Sequence, residues 1–253
     1  MDRIKRLLEL IKSFREFGGS IPPAECDLER NWSEAHLLLQ ASKARRTDLP
    51  YLSGSLLLYL AGRFEYFVRQ LVQSTAEGMV DSAGHSGLPE QIRKELRTRS
   101  LEVIQNPRRY GFDESQADTL LIDLAQAIGG SGNSTSVHAE VLTITDANMK
   151  DRVLADLFKR VGVEGVWKEV GKQAKMKLEL GTTPDGVTTT EAQTRLNALM
   201  DDRNQIAHPT SATTFPDPDQ VLSMARFIGV LAEVLTENAK VHLAGFTADG
   251  LAT

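Results

Sequence analysis

The sequence predicts an all-α protein: a helical bundle preceded by one additional N-terminal helix and interrupted by helical insertions. Apolar residues recur at three-to-four spacing along nearly every long segment, and alternating runs bounded by turn residues are nearly absent. The chain has 253 residues, 41% of them hydrophobic, which is enough to bury a substantial core.

Ile4, Leu7, Leu8, Ile11 and Phe14 mark a first amphipathic helix, closed by Gly18 and Gly19. A second is expected over 27–46, with Trp32, Ala35 and Leu39 on one face, ahead of Pro50. The third, 53–82, is the longest and most apolar, and Leu57, Leu60, Phe64, Phe67, Leu71 and Met79 make it the central helix, ending near Gly84. Helices follow at 89–105 and 114–128, before "GGSGNSTS" supplies the most flexible composition in the chain. Val153, Leu157 and Val161 then define a helix at four-residue spacing, followed by a glycine-punctuated element carrying Trp167. The loop "GTTPDGVTTT" leads into a helix over 191–208, capped by Thr188 or Thr190, with Glu191 or Gln193 completing a capping box. Pro209 disfavours helical geometry at His208, so the helix stops there. A final helix spans 218–242 with Val221, Ile228, Leu231 and Leu235 inward. The division expected is an N-terminal helix and linker over 1–26, a helical domain over 27–242 and a flexible tail over 243–253.

Composition excludes several functions. A single cysteine, Cys26, rules out an intramolecular disulfide framework and a cysteine-rich metal site, which fits a reducing compartment. The N-terminus lacks an apolar core of signal-peptide length, and the run "LLLYLAG" is far short of the roughly 20 residues a membrane span needs. The expectation is a soluble cytoplasmic protein without a membrane anchor. Its formal charge of −5 argues against coating nucleic acid over the whole surface. One segment runs the other way: "QIRKELRTRSLEVIQNPRRY" sets Arg93, Lys94, Arg97, Arg99, Arg108 and Arg109 against only Glu95 and Glu102. It reads either as a solvated helix face or as a surface for phosphates, Arg93, Lys94, Arg97, Arg108 and Arg109 being the candidate RNA contacts. His36, His85, His138 and His242 show no mutual metal-ligand spacing, and Asp201 and Asp202, adjacent on a helix, point about 100° apart. No metal or other cofactor is expected.

The stretch "DDRNQIAHPTS" carries the chemistry. Leu196, Leu199, Met200, Ile206 and Ala207 form an apolar stripe, and Arg203 stands in the middle of it. An inward arginine must meet a carboxylate such as Glu65, line a wet cleft or sit at a subunit interface, because burying an unpaired charge costs several kcal/mol. Asn204 and His208 lie one turn apart beside it, placing a proton carrier next to a fixed positive charge.

"RNQIAHP", at the end of a penultimate helix in an all-helical chain, resembles the Arg-Asn-x-x-x-His signature of the HEPN superfamily. "SGSLLLYLAGRFEYFVRQLV" is similar to the first core helix of HEPN domains, including an acidic residue at Glu65, and "NMKDRVLADLFKRVGV" resembles the helix-plus-glycine element of the RiboL-PSP type. The resemblance spans about 27–242 and implies a metal-independent endoribonuclease of a defence or toxin type. It implies further that Arg203, Asn204 and His208 are catalytic, Glu65 supports them, and RNA is the substrate. Arg203 would clamp the scissile phosphate and His208 would shuttle protons as the 2′-hydroxyl attacks, leaving a 2′,3′-cyclic phosphate and a 5′-hydroxyl. A homodimer through the 191–208 helix is implied too, with room for a regulatory protein partner. The alternative is a catalytically silent HEPN module that mediates protein assembly. One departure is Thr210 in "HPT", where toxins controlled by a nucleotidyltransferase carry tyrosine, which speaks against regulation by tyrosine modification.

Overall fold

The computed structural model describes residues 2–21, 32–44, 48–129 and 138–250, and among these every regular element is helical. The α-helices, in chain order, are α1 (Asp2–Gly19), α2 (Ser33–Ala44), α3 (Leu49–Gly87), α4 (Glu90–Gln105), α5 (Glu114–Gly129), α6 (Asp151–Arg160), α7 (Val166–Lys172), α8 (Ala174–Leu180), α9 (Asp185–Ala207) and α10 (Pro218–Gly250). Short 3-10 turns stand at Pro107–Tyr110 and Ala139–Thr143. Cys26, the linker over 22–26, the two ends of the helix expected over 27–46, positions 130–136 of the glycine-serine loop and the last three residues of the tail lie outside the described residues.

Contacts divide the chain into two units, neither contiguous in sequence. The first comprises Met1–Arg63 and Ala198–Gly229. In it, Ile4, Leu8 and Ile11 of α1 are buried, as the three-to-four spacing requires, and Gly18 approaches α2 so closely that a Cβ there would lie 2.8 Å from Ser42 Oγ. Trp32, expected on the inward face with Leu39, is instead 64% exposed, because it precedes the first turn of α2 rather than lying within it. Lys12 and Arg15 of α1 reach Asp219 at 3.1 and 3.6 Å, which ties the N-terminal helix to the start of α10. That start is a capping box: Asp217 Oδ1 accepts from the amides of Asp219 and Gln220, Gln220 Oε1 accepts from the Asp217 amide, and Pro218 fills the first helical position.

The second unit comprises Phe64–Asn197 and Val230–Thr253. Phe64, Val68, Val72 and Met79 of α3 and Leu154, Leu157 and Phe158 of α6 are among its buried side chains. Its buried arginine is Arg160, whose guanidinium donates to Asp156 Oδ2 and to the Leu142 and Ile144 carbonyls at 2.9 and 2.7 Å, so the charge is paired and the end of a 3-10 turn is satisfied. Gly162, at φ 82°, turns the chain after α6, and the Trp167 indole donates to the Asp151 carbonyl at 2.8 Å. Asp113 and Gln116 form a second reciprocal capping box at the start of α5.

Three helices are longer than expected. α3 spans Leu49–Gly87 where 53–82 was expected, although its backbone leaves helical geometry at Gly84 (φ 65°), the glycine expected to end it. α9 begins at Asp185, and Thr188 and Thr190, expected as caps, lie inside it with their hydroxyls on the carbonyls of Pro184 and Gly186. α10 continues through Gly250 where a flexible tail was expected from residue 243; Leu243 packs on Gly78, where a Cβ would lie 2.8 Å from its Cδ2.

Candidate active site

The apolar face of α9 is built as its sequence requires. Leu196, Leu199 and Met200 are fully buried and Ile206 is nearly so, while Ala207, expected to complete the stripe, is exposed at the last turn. Arg203 falls at the edge of this face and is half-buried, with Asp202 and Asn204 on either side of it also half-buried. The helix therefore raises a guanidinium partly out of an apolar ridge rather than sealing it in the core, and a partly hydrated arginine avoids most of the cost of full burial.

Arg203 Nη1 donates to Asn204 Oδ1 at 3.1 Å. The asparagine thus presents its carbonyl oxygen to the arginine. His208 is exposed, one residue past the end of α9, and its amide donates to the Asn204 carbonyl at 3.1 Å, closing one more helical turn before Pro209 ends the series. Asn204 touches both partners, one through its side chain and the other through its main chain.

The segment after His208 is fixed by two features that sequence reasoning missed. The Thr210 amide donates to Thr213 Oγ1 at 2.8 Å and the Ala212 amide to Thr210 Oγ1 at 3.3 Å, so two hydroxyls hold a turn directly behind Pro209. Phe215 then lies against Tyr51 of α3, ring centroids 4.5 Å apart, and over Gly54, where a Cβ would come within 2.6 Å of its Cδ1 and 3.4 Å of Ile206 Cγ2. Gly54 lets the loop leaving the signature seat on α3. The sequence signal was available as a glycine inside the most apolar helix, where it costs helix stability.

Asp202 is held above the ordinary carboxylate range by burial, with the negative charge of Asp201 adding to it. Glu65, on α3, is half-buried, and its Oε1 is secluded from solvent with no hydrogen-bond partner among the described residues. The basic segment is sorted by acids within it and beyond it. Arg99 is half-buried against Glu95 at 3.5 Å and Glu102 at 2.9 Å; Arg109 is clamped by both oxygens of Asp146; Arg108 lies 3.7 Å from Glu114. Arg93, Lys94 and Arg97 remain exposed on α4. Of the other histidines, His242 bonds the Val161 carbonyl at 3.0 Å and His36 contacts Gln40, while His85 and His138 line one small cavity with Asp123. Among the described residues no group of three or more histidine, cysteine or acidic side chains is placed to hold a metal ion, and no helix is long and apolar enough to cross a membrane.

An all-helical chain that ends its penultimate helix on an Arg-Asn pair and a following histidine defines a HEPN-type protein. The RiboL-PSP-HEPN family model matches residues 27–239, and the chain belongs to that family. No curated protein and no solved structure matches it.

Proposed function

We propose that the protein is a metal-independent endoribonuclease, of a defence or toxin type, with Arg203, Asn204 and His208 as its catalytic group. The observation that carries this reading is that half-buried Arg203, its Nη1 bonded to Asn204 Oδ1, and exposed His208 stand at the C-terminal end of one helix, α9. In the reaction, the RNA 2′-hydroxyl attacks the adjacent phosphorus, the bond to the 5′-oxygen breaks, and a 2′,3′-cyclic phosphate and a 5′-hydroxyl result. His208 moves a proton at one of the two oxygens, and Arg203 binds the non-bridging oxygens whose charge grows in the transition state. The nucleophile is internal to the substrate, so its positioning supplies rate that a separate nucleophile would lack. Membership of a HEPN family supports an RNA-related activity for the chain.

The test is incubation of RNA with the protein in EDTA, wild type beside His208→Ala and Arg203→Ala. Each substitution is expected to lower cleavage by 10²-fold or more, roughly the worth of a proton-transfer group or a charged clamp. Arg203→Lys should rescue little, because a point charge does not reproduce the planar fork. Cleavage that survives both alanine changes, or that requires a divalent ion, leaves the second reading, a module for protein assembly. That reading draws on the exposed apolar side chains Leu10, Trp32, Leu37, Leu38, Tyr51 and Leu52 of the first unit.

A further inference from the structure

The structure separates the basic segment into cations that are used and cations that are not. Glu95 and Glu102, the acids nearest the middle of α4, are both taken by half-buried Arg99. Arg109 is held by Asp146, and Arg108 leans towards Glu114. Arg93, Lys94 and Arg97 are exposed and form no ion pair among the described residues. Exposed Glu90 stands one turn before Lys94 and forms none either. On an ideal helix Arg97 lies about 40° and Lys94 about 100° from Arg93, so the three run from the border of the buried stripe of Ile92, Leu96, Ser100 and Val103, where Arg93 stands, out to the solvent side, where Lys94 stands.

Such an arrangement works against the helix that carries it. Like charges four residues apart, as Arg93 and Arg97 are, sit about 6 Å apart at Cβ and repel. The field is felt by a neighbour: His85 is held below the ordinary histidine range by burial first and by the positive charge of Arg93 second. On a chain of formal charge −5, an unneutralised cationic face suits a polyanion lying along it, to which Arg93 and Arg97, one helical turn apart, offer two guanidinium forks.

We infer that the Arg93–Lys94–Arg97 face of α4 is an RNA-backbone contact, a sequence-independent holding surface for single-stranded RNA outside the signature residues. The choice of RNA as the polyanion rests on the endoribonuclease reading. The phosphates are bound by charge and by the arginine forks, which carry no base information, so the surface adds affinity without adding sequence preference.

The experiment is fluorescence anisotropy of an end-labelled oligouridylate in EDTA across a salt series, in a His208→Ala background that prevents cleavage. It compares that protein with one also carrying Arg93→Ala, Lys94→Ala and Arg97→Ala. Each phosphate contact on a single strand contributes about 0.7 to the slope of log affinity against log salt, so losing three should lower the slope by about 2 and the low-salt affinity by tenfold or more. A variant with Arg93→Lys and Arg97→Lys keeps its charges and should keep most of the slope. Equal melting temperatures show that the helix has not unfolded. An unchanged slope, or no binding to oligouridylate by the His208→Ala protein, overturns the inference. Wild-type cleavage is scored separately: a lowered slope with no cleavage keeps this surface and rejects the nuclease reading, and cleavage with an unchanged slope does the reverse.

Discussion

Asn204 links the arginine to the histidine by two different bonds, and that predicts an unequal mutational series. Removing its side chain takes one acceptor from the Arg203 guanidinium but leaves the main-chain bond from His208 intact. A hydrogen bond to a charged group is worth about 1.5–3 kcal/mol, so Asn204→Ala should cost roughly ten- to a hundredfold in kcat, with His208→Ala costing at least as much. Single-turnover cleavage of the three alanine variants checks the order; Asn204→Ala as the most damaging of the three would reject it. A second residue-scale prediction concerns pH. Burial pulls His138 down, but hydrogen bonds to Glu140 and Asp123, with their charges, outweigh it and hold the ring above the ordinary 6.5. The stability this gives is complete below that ordinary value and is lost as pH rises through the folded-state one. Across the cavity His85 is shifted the other way, so its penalty grows as pH falls below 6.5. Thermal melts from pH 5 to 9 should therefore show His138→Gln most destabilising at the acid end and His85→Gln relatively stabilising there. Of these residues the sequence exposed the signature well, because Arg203 breaks an apolar period. It did not reveal that the sealed arginine is Arg160, since the carbonyls that satisfy Arg160 come from a 3-10 turn 16 and 18 residues earlier.

Where two helices touch, glycine decides the distance. Gly171 of α7 faces α9 so closely that a Cβ would lie 2.1 Å from Thr189 Oγ1 and 2.5 Å from the Asp185 carbonyl. Main chain cannot step aside as a flexible side chain can, so Gly171→Ala should destabilise by about 3 kcal/mol or more, at or above the upper end for overpacking. Gly54→Ala meets the Phe215 ring, which can shift, and should cost about 1–3 kcal/mol while displacing the loop behind His208. Chemical denaturation of both variants tests the ranking, and a kcat loss for Gly54→Ala larger than its loss of stability at assay temperature explains would show that the loop sets His208. The longer helices and their order were legible because their apolar period is sustained, whereas α8, seven residues over Ala174–Leu180, is too short to show one and was not expected. Ends were less legible. The threonines of "GTTPDGVTTT" look like caps in sequence, but Thr188 and Thr190 bond back to carbonyls four residues earlier and let α9 run on from Asp185. The boxes Asp113-x-x-Gln116 and Asp217-x-x-Gln220 obey a pattern that the sequence displays openly.

At the scale of the molecule, the two units are each assembled from distant stretches of chain, so no linker composition announces them, and a boundary read from composition alone finds one helical domain. The same scale governs the remaining prediction, oligomeric state. Five residues of helix separate Arg203 from His208, a rotation of about 140°, so within one copy the two side chains diverge while the proposed chemistry needs both at one phosphate. A twofold pair of α9 ends resolves this by setting each copy's arginine against the other's histidine, an isologous contact in which every residue is used twice. Sedimentation at micromolar concentration should then give twice the chain mass of 27.9 kDa. The sharper measurement is complementation. Inactive Arg203→Ala and inactive His208→Ala proteins, unfolded together and refolded as a mixture, should recover part of the cleavage, because mixed pairs retain one arginine and one histidine from different copies. A site complete within one chain recovers none, and a monomeric protein that cleaves RNA at full rate rules out the shared site altogether.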